Sequence, residues 1–156
     1  MKNFVKLIIS IAICQLAGII GSVFTAYSIP TWYASLVKPS FNPPNWIFSP
    51  VWITLYLLMG ISLYIIWLSK AKPKYKKAAF TFFGLQLLLN ALWSIIFFGL
   101  QAPFYAFIEI ILLWISILIT ICFFYKISRP AAYLLVPYIL WVSFAAVLNF
   151  FIFLLN

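Results

Sequence analysis

Five long apolar runs dominate the chain, separated by short stretches in which proline, lysine and other polar residues are concentrated. Each run has about 20 residues, the length that an α-helix needs to cross the hydrocarbon core of a bilayer. The pattern predicts an all-α integral membrane protein, a bundle of five transmembrane helices that forms a single domain over residues 1–156. The predicted helices are residues 4–27, 47–69, 78–100, 104–126 and 132–155.

The composition agrees with a membrane protein. Hydrophobic residues make up 67% of the chain and charged residues 7%, whereas a soluble domain is nearer one half apolar and one quarter charged. The predicted helices also lack the continuous charged and polar face that a helix on the surface of a soluble protein turns to water, which argues against a soluble bundle.

The positive charges predict the orientation. Five helices place the N-terminus, residues 70–77 and residues 127–131 on one side of the membrane, and that side holds nine of the ten Lys and Arg residues. Loops rich in Lys and Arg stay in the cytoplasm. We therefore expect a multi-pass plasma-membrane protein with a cytoplasmic N-terminus, and with residues 28–46 and the C-terminus outside. The net charge of +9 then reflects orientation in the lipid bilayer, and no nucleic-acid partner is expected.

The chain offers little conventional catalytic chemistry. It contains no histidine, the commonest metal ligand and the commonest general base near neutral pH. Its two cysteines, Cys14 and Cys122, lie inside apolar runs and are expected to be small buried residues rather than a disulfide. No metal site, required cofactor or catalytic residue is predicted.

Residues 28–46, here called the lid loop, form the longest predicted connection. The stretch WYASLVKPSFNPPNWIFSPVW, residues 32–52, holds four of the nine prolines and three of the seven tryptophans. Pro39, Pro43 and Pro44 cannot lie inside a regular helix, yet the aromatic residues favour burial. We expect the lid loop to fold down over the helices as the roof of a binding site.

The second to fifth helices each gather polar or aromatic residues on one face at helical spacing. Polar groups are costly in lipid, so these faces are expected to point into the bundle. Hydrogen bonding between helices explains Gln86 and Asn149 as well as a site does, whereas Asn90, Trp93 and Trp141 favour a pocket for a flat, mostly apolar ligand. The faces are Trp52, Tyr56 and Gly60; Gln86, Asn90, Trp93 and Phe97; Glu109, Leu113, Ser116 and Thr120; and Tyr138, Trp141, Ala145 and Asn149.

Two further features leave alternatives open. Glu109 is the only acid in the chain, and it either hydrogen-bonds a ligand or ties its helix to a neighbour. The first helix carries a stripe of small residues, for which packing against a sibling helix is favoured over a dimer contact. The stripe consists of Ala17, Gly18, Gly21, Ser22 and Thr25.

Several spaced motifs resemble one family. They are the lid-loop motif above, QLLLNALWSIIFFG at residues 86–99, Glu109 with Trp114, and the Pro-Tyr, Trp and Leu-Asn elements of residues 131–156. Along nearly its whole length the chain resembles the TspO/MBR family of bacterial tryptophan-rich sensory proteins and the mitochondrial translocator protein.

The resemblance implies a five-helix bundle that often forms a homodimer. It also implies a pocket under the first loop that binds porphyrins, such as protoporphyrin or haem, and synthetic isoquinoline and benzodiazepine ligands. The binding residues implied by the matching motifs are Tyr33, Pro44, Trp52, Tyr56, Asn90, Trp93, Phe97, Glu109, Trp141 and Ala145.

The expected function is that of a receptor-like membrane protein that binds tetrapyrroles and has a regulatory, sensing or transport role. The alternative, which the resemblance also implies, is light- and oxygen-dependent porphyrin degradation, with Trp141 or Trp32 as electron donor. Animal members bind cholesterol through a motif that ends in Lys or Arg in the last helix. This chain has neither residue after Arg129, so we expect poor cholesterol binding.

Overall fold

The computed structural model describes residues 2–156 and confirms five membrane-spanning helices. The last span consists of two α-helices, α5 and α6. No strand occurs in the described residues. The α-helices are α1, Asn3–Ser28; α2, Phe48–Leu68; α3, Pro73–Ser94; α4, Pro103–Ile127; α5, Arg129–Tyr133; and α6, Val136–Leu155.

The first helix extends further than the sequence predicted. α1 continues through a π-helical segment, Ile29–Tyr33, and residues 34–35 are helical too, so the prediction that residues 28–35 belong to a non-helical loop is wrong. Pro30 lies near the start of this segment, where a wider turn tolerates its missing N–H. The non-helical part of the lid loop is residues 36–44, and it contains Pro39, Pro43 and Pro44 as expected.

Two other boundaries have similar local causes. α3 begins at Pro73, five residues before the predicted start, because proline is well suited to the first turn of a helix. The final span is interrupted at residues 134–135. Pro137 cannot donate a hydrogen bond to the carbonyl four residues earlier, which explains the interruption.

Close glycine contacts join α1 to α2. A Cβ atom added to Gly60 would lie 2.6 Å from the Cα of Ile11, and one added to Gly18 would lie 2.5 Å from the Tyr56 ring. Part of the small-residue stripe therefore packs against a sibling helix, as favoured above. Cys14 is buried in this region, whereas Cys122 is exposed; the expectation of a buried residue is wrong there because Cys122 lies on an outward face of α4. Both thiols are free.

The lid loop is fastened to the end of α6. The side chain of Asn156 accepts a hydrogen bond from Val37 N at 2.9 Å and donates one to Val37 O at 2.9 Å. Phe41 packs against Phe151, with ring centroids 5.4 Å apart. Tyr33 donates to Asn42 Oδ1 at 2.9 Å. These contacts hold residues 36–44 down against the bundle. We call this end of the bundle the lid side and the opposite end the lysine side.

Candidate ligand-binding cavity

A cavity of about 430 Å³ lies among the spanning helices. Its size is within the range of about 300–1,000 Å³ that is typical of small-molecule sites. α1, α2, α3 with its π-helical extension Ile95–Gly99, and α6 supply most of the lining, while α4 contributes Ile110 and Leu113. The lining is largely apolar and aromatic, which suits a ligand with extensive apolar surface.

Eight of the ten residues predicted from the sequence line this cavity. That they bind a ligand stays a prediction. The eight are Tyr33, Trp52, Tyr56, Asn90, Trp93, Phe97, Trp141 and Ala145.

The structure places Pro44 and Glu109 outside the cavity lining. Pro44 is exposed and precedes a short 3₁₀ turn, Asn45–Ile47, so it shapes the end of the lid loop. Glu109 is buried in α4 one residue before Ile110, which does line the cavity. Successive helical residues point about 100° apart, so the Glu109 side chain lies on an adjacent face.

Two stacked aromatic pairs flank the cavity. Trp52 and Tyr56 of α2 have ring centroids 5.6 Å apart and an interplanar angle of 29°. Trp93 and Phe97 have centroids 5.0 Å apart and an angle of 21°. Residues four apart on a helix lie one above the other, which is why each pair forms an extended surface. The cavity therefore offers broad aromatic walls to a flat ligand.

A buried hydrogen-bond network connects three of the helices beside these walls. Tyr56 donates to Asn90 Oδ1, and Asn90 Nδ2 donates to the Tyr138 hydroxyl at 3.0 Å. Tyr138 in turn donates to Gln86 Oε1 at 2.8 Å. Gln86 thus forms a hydrogen bond between two helices, whereas Asn90 both hydrogen-bonds across helices and lines the cavity.

A second set of hydrogen bonds orients one aromatic wall. The Trp93 indole N–H donates to Asn149 Oδ1 at 3.1 Å, and Asn149 Nδ2 donates to the carbonyl of Pro103 at 2.8 Å. An indole has a single donor, so this bond fixes the plane of the Trp93 ring. Asn149 also lines the cavity, and it links α3, α4 and α6.

Trp141 lines the cavity and carries a buried, unpaired donor. Its Nε1 is buried and has no hydrogen-bond partner within residues 2–156, and the side chain lines the cavity. Phe48 lies against it with ring centroids 6.0 Å apart. Leaving a buried donor unpaired costs about 1–3 kcal/mol, so an acceptor on a bound ligand would recover that cost.

One positive charge of the lid loop lies close to a residue of the cavity lining. Lys38 Nζ lies 4.8 Å from the centroid of the Tyr33 ring and donates to Leu36 O at 3.0 Å. Tyr33 is itself a lining residue. A cation is thus held beside the lid-side wall, where it would attract an anionic group of a ligand.

The sequence model of the TspO/MBR family matches residues 10–155. The chain belongs to the TspO/MBR family. It is 49% identical over 154 residues to tryptophan-rich protein TspO of Archaeoglobus fulgidus, covering 99% of each chain. It is 43% identical over 155 residues to tryptophan-rich protein TspO of Chlorobaculum tepidum, covering 99% of this chain and 98% of that one. The human translocator protein is 37% identical over 139 residues, covering 87% and 81% of the two chains.

The wall of this TspO/MBR cavity that the sequence analysis missed comes from α1. Gly18, Gly21, Ser22 and Thr25 line the cavity, although the small-residue stripe indicated only helix packing. The small-residue stripe itself could have indicated a cavity wall, because small side chains leave space beside a helix as readily as they permit close contact. Which of the two occurs depends on the position of the neighbouring helix.

In residues 2–156 no three His, Cys, Asp or Glu side chains lie close enough together to hold a metal ion. The cavity offers aromatic faces, including that of Trp141, and the Lys38 ammonium lies over the ring of the lining residue Tyr33 without lining the cavity itself. This arrangement suits a planar ligand with acceptor or anionic groups at its edge.

Proposed function

We propose that this TspO/MBR protein is a receptor-like membrane protein that binds porphyrin-type tetrapyrroles in the cavity. Its role would be regulatory, sensing or transport. The observation that carries the proposal is the pair of stacked aromatic walls beside an unpaired indole donor. The names of relatives support the sensing or transport role alone: one is a tryptophan-rich sensory protein of Cereibacter sphaeroides, 34% identical over 119 residues, and others are translocator proteins.

The aromatic residues of the cavity support a porphyrin as the ligand. Its aromatic plane would contact Trp52 of one wall and Trp93 of the other, since offset stacking and edge contacts with aromatic rings are favourable. Its carboxylate edge would accept a hydrogen bond from Trp141 or meet Lys38 at the lid side, because charge-assisted hydrogen bonds are stronger than neutral ones.

Iron is not needed for this mode of binding. The chain has no histidine, and Cys14 is not among the residues that line the cavity. Metal-free protoporphyrin should therefore bind about as well as haem. A large preference for the iron porphyrin would contradict this account.

Tryptophan fluorescence tests the proposal directly. Titrating the protein in lipid nanodiscs with protoporphyrin should quench tryptophan emission and saturate. Trp141→Phe removes the unpaired donor but keeps an aromatic ring, so the affinity should fall by about tenfold, the loss of roughly one hydrogen bond. Trp67→Phe is the matched control, because Trp67 lies near the lysine-side end of α2 and outside the cavity lining. Equal losses in the two variants would contradict the assignment of the site.

Light- and oxygen-dependent porphyrin degradation is the second candidate. Trp141 lines the cavity, and Trp32 contacts the lining residue Phe97 with ring centroids 5.6 Å apart. Either indole would donate one electron to a light-excited porphyrin, leaving an indole radical cation and a porphyrin radical anion. Oxygen would then add to the reduced macrocycle and the adduct would return one electron to the indole, so that the net change is oxygenation of the porphyrin by O₂. Illumination of the protoporphyrin complex in air should then yield less product in Trp141→Phe than in the native protein. Unchanged product formation would remove the proposed role of Trp141.

We also infer a plasma-membrane location with the lysine side in the cytoplasm. Lys6 lies over the Trp67 ring at 5.9 Å, and Lys76 donates to Trp67 O at 2.9 Å. These contacts support the placement of the N-terminus and the α2–α3 connection on the same side of the membrane. The assignment of the lysine-rich side to the cytoplasm depends on that placement. A reporter fused after Asn156 should be external. Homodimer formation and poor cholesterol binding stay predictions of the family resemblance.

A further inference from the structure

α1 and α2 are held together towards the lysine side. The glycine contacts of Gly60 with Ile11 and of Gly18 with Tyr56 leave no room for a side chain between the helices. Next to them, Gln15 Nε2 donates to the carbonyl of Ile53 at 3.1 Å. The two helices are therefore closed against each other up to the level of Gln15 and Ile53.

Beyond that level the cavity reaches the surface between the same two helices. All of its lining residues that are exposed belong to α1 or α2. Ile19 is 57% exposed and Ile53 is 59% exposed, although both line the cavity. The complete set of exposed lining residues is Ile19, Ser22, Ala26, Ser49 and Ile53.

The other sides of the cavity are closed by contacts. The lid loop is fastened by the hydrogen bonds of Asn156 to Val37, and no residue between 34 and 47 lines the cavity. The α3–α6 side is closed by the bond between Trp93 and Asn149. The exposed lining therefore forms a single opening, which lies inside the membrane-spanning parts of α1 and α2.

We propose that this opening is a lateral portal through which the ligand passes between the cavity and the bilayer. The inference rests on the proposed function for the identity of its cargo, a tetrapyrrole apolar enough to dissolve in the membrane. Ile19, Ser22, Ala26, Ser49 and Ile53 form its rim, and they face lipid rather than water. A ligand taken from the bilayer is already concentrated and partly desolvated, so its apolar plane need not cross the latched lid loop.

The portal is tested by changing its width and measuring exchange rates. Protein in nanodiscs is mixed rapidly with protoporphyrin-loaded vesicles, and quenching of tryptophan is followed in time. Ala26→Trp narrows the rim and should slow both association and dissociation by about tenfold, the effect of a barrier about 1.4 kcal/mol higher. Val23→Trp is the matched control, since Val23 is 61% exposed on the same helix but does not line the cavity; its rates should be unchanged.

Variants that widen the rim distinguish an effect on the portal from a loss of folding. Ile53→Ala widens the rim and should raise both rate constants, whereas Leu57→Ala, which is exposed on α2 outside the lining, should not. Asn156→Ala releases the lid loop and should leave the exchange rates unchanged. Faster exchange in Asn156→Ala, with no effect of Ala26→Trp or Ile53→Ala, would place the route through the roof and overturn the proposal.

A second probe separates the portal from the proposed function. N-phenyl-1-naphthylamine is an apolar dye that brightens in dry cavities and, unlike a porphyrin, carries no carboxylate. If protoporphyrin fails to bind while the dye exchanges at rates that follow the rim variants, the proposed function fails and the portal stands. If dye exchange is insensitive to the rim, or if neither probe enters the native protein, the portal is wrong.

Discussion

The contact between Gly60 and Ile11 should be the most sensitive point of the α1–α2 interface. An alanine Cβ at position 60 would lie 2.6 Å from Ile11 Cα and 3.1 Å from Ile11 N. These are backbone atoms, which cannot rotate away as a side chain can. Carbon atoms settle at about 3.5–4.0 Å, so Gly60→Ala requires the helices to separate by roughly 1 Å.

The cost of that separation follows from the cost of overpacking. Forcing an extra methyl group into a close-packed contact destabilises a protein by about 1–3 kcal/mol. Replacing glycine in a helix by alanine also brings a gain of about 0.8–1.0 kcal/mol in helix propensity. The measured change in unfolding free energy of Gly60→Ala is therefore the sum of a loss from the clash and a gain from helix propensity. A substitution at a second glycine is needed to separate the two contributions.

Gly84 is the matched control, because it lies in α3 and a Cβ added there would meet no atom of the described residues within 4 Å. Gly84→Ala should show the propensity gain alone. The free energy of unfolding, measured by titration with SDS in mixed micelles and followed by circular dichroism, should be lower for Gly60→Ala than for Gly84→Ala by about 1–3 kcal/mol. Equal unfolding free energies for the two variants would refute the close contact between α1 and α2.

Three further predictions concern buried polar groups and the lid loop. Tyr138→Phe removes a hydroxyl that bonds both Asn90 and Gln86, and it should lower the unfolding free energy by about 1–3 kcal/mol; Tyr125→Phe, which is exposed on α4, is the control. Glu109→Leu replaces a buried carboxyl without a hydrogen-bond partner in residues 2–156 and should raise stability by about 1–3 kcal/mol in the same titration; a loss would show that Glu109 has a partner. Asn156→Ala should speed chymotrypsin cleavage after Phe41 relative to native protein, because the latch on the lid loop is lost; unchanged cleavage would contradict the latch.

The sequence alone determined the number of spanning helices, because the lipid bilayer restricts which backbone structures are possible. An apolar run of about 20 residues can satisfy its backbone hydrogen bonds in a bilayer only as a helix, so five runs required five spans. Prolines at positions 39, 43 and 44 excluded a helix there for equally local reasons. The helical repeat also determined which residues share a face, which is why Asn90 and Trp93, for example, were predicted together.

Local reasoning was wrong where a distortion of the helix intervened. Residues 29–33 remain helical because a π-helical turn accommodates Pro30, and a wider turn of this kind has no clear signature in the residue pattern. Cys122 was expected to be buried, yet in a membrane helix an apolar residue faces lipid as readily as protein. Hydrophobicity alone therefore cannot distinguish the core from the lipid surface.

Only the tertiary structure decided which faces surround the cavity and where it opens. Periodicity placed Gly18 and Ser22 on one stripe, but the stripe packs against α2 at Gly18 and lines the opening at Ser22. The difference depends on where the two helices touch and where they leave space, which no single helix specifies. Among residues 2–156, Glu109 and the Trp141 N–H were likewise left without hydrogen-bond partners by the positions of neighbouring helices. Residue spacing is a property of one helix, whereas a cavity is the space left among several.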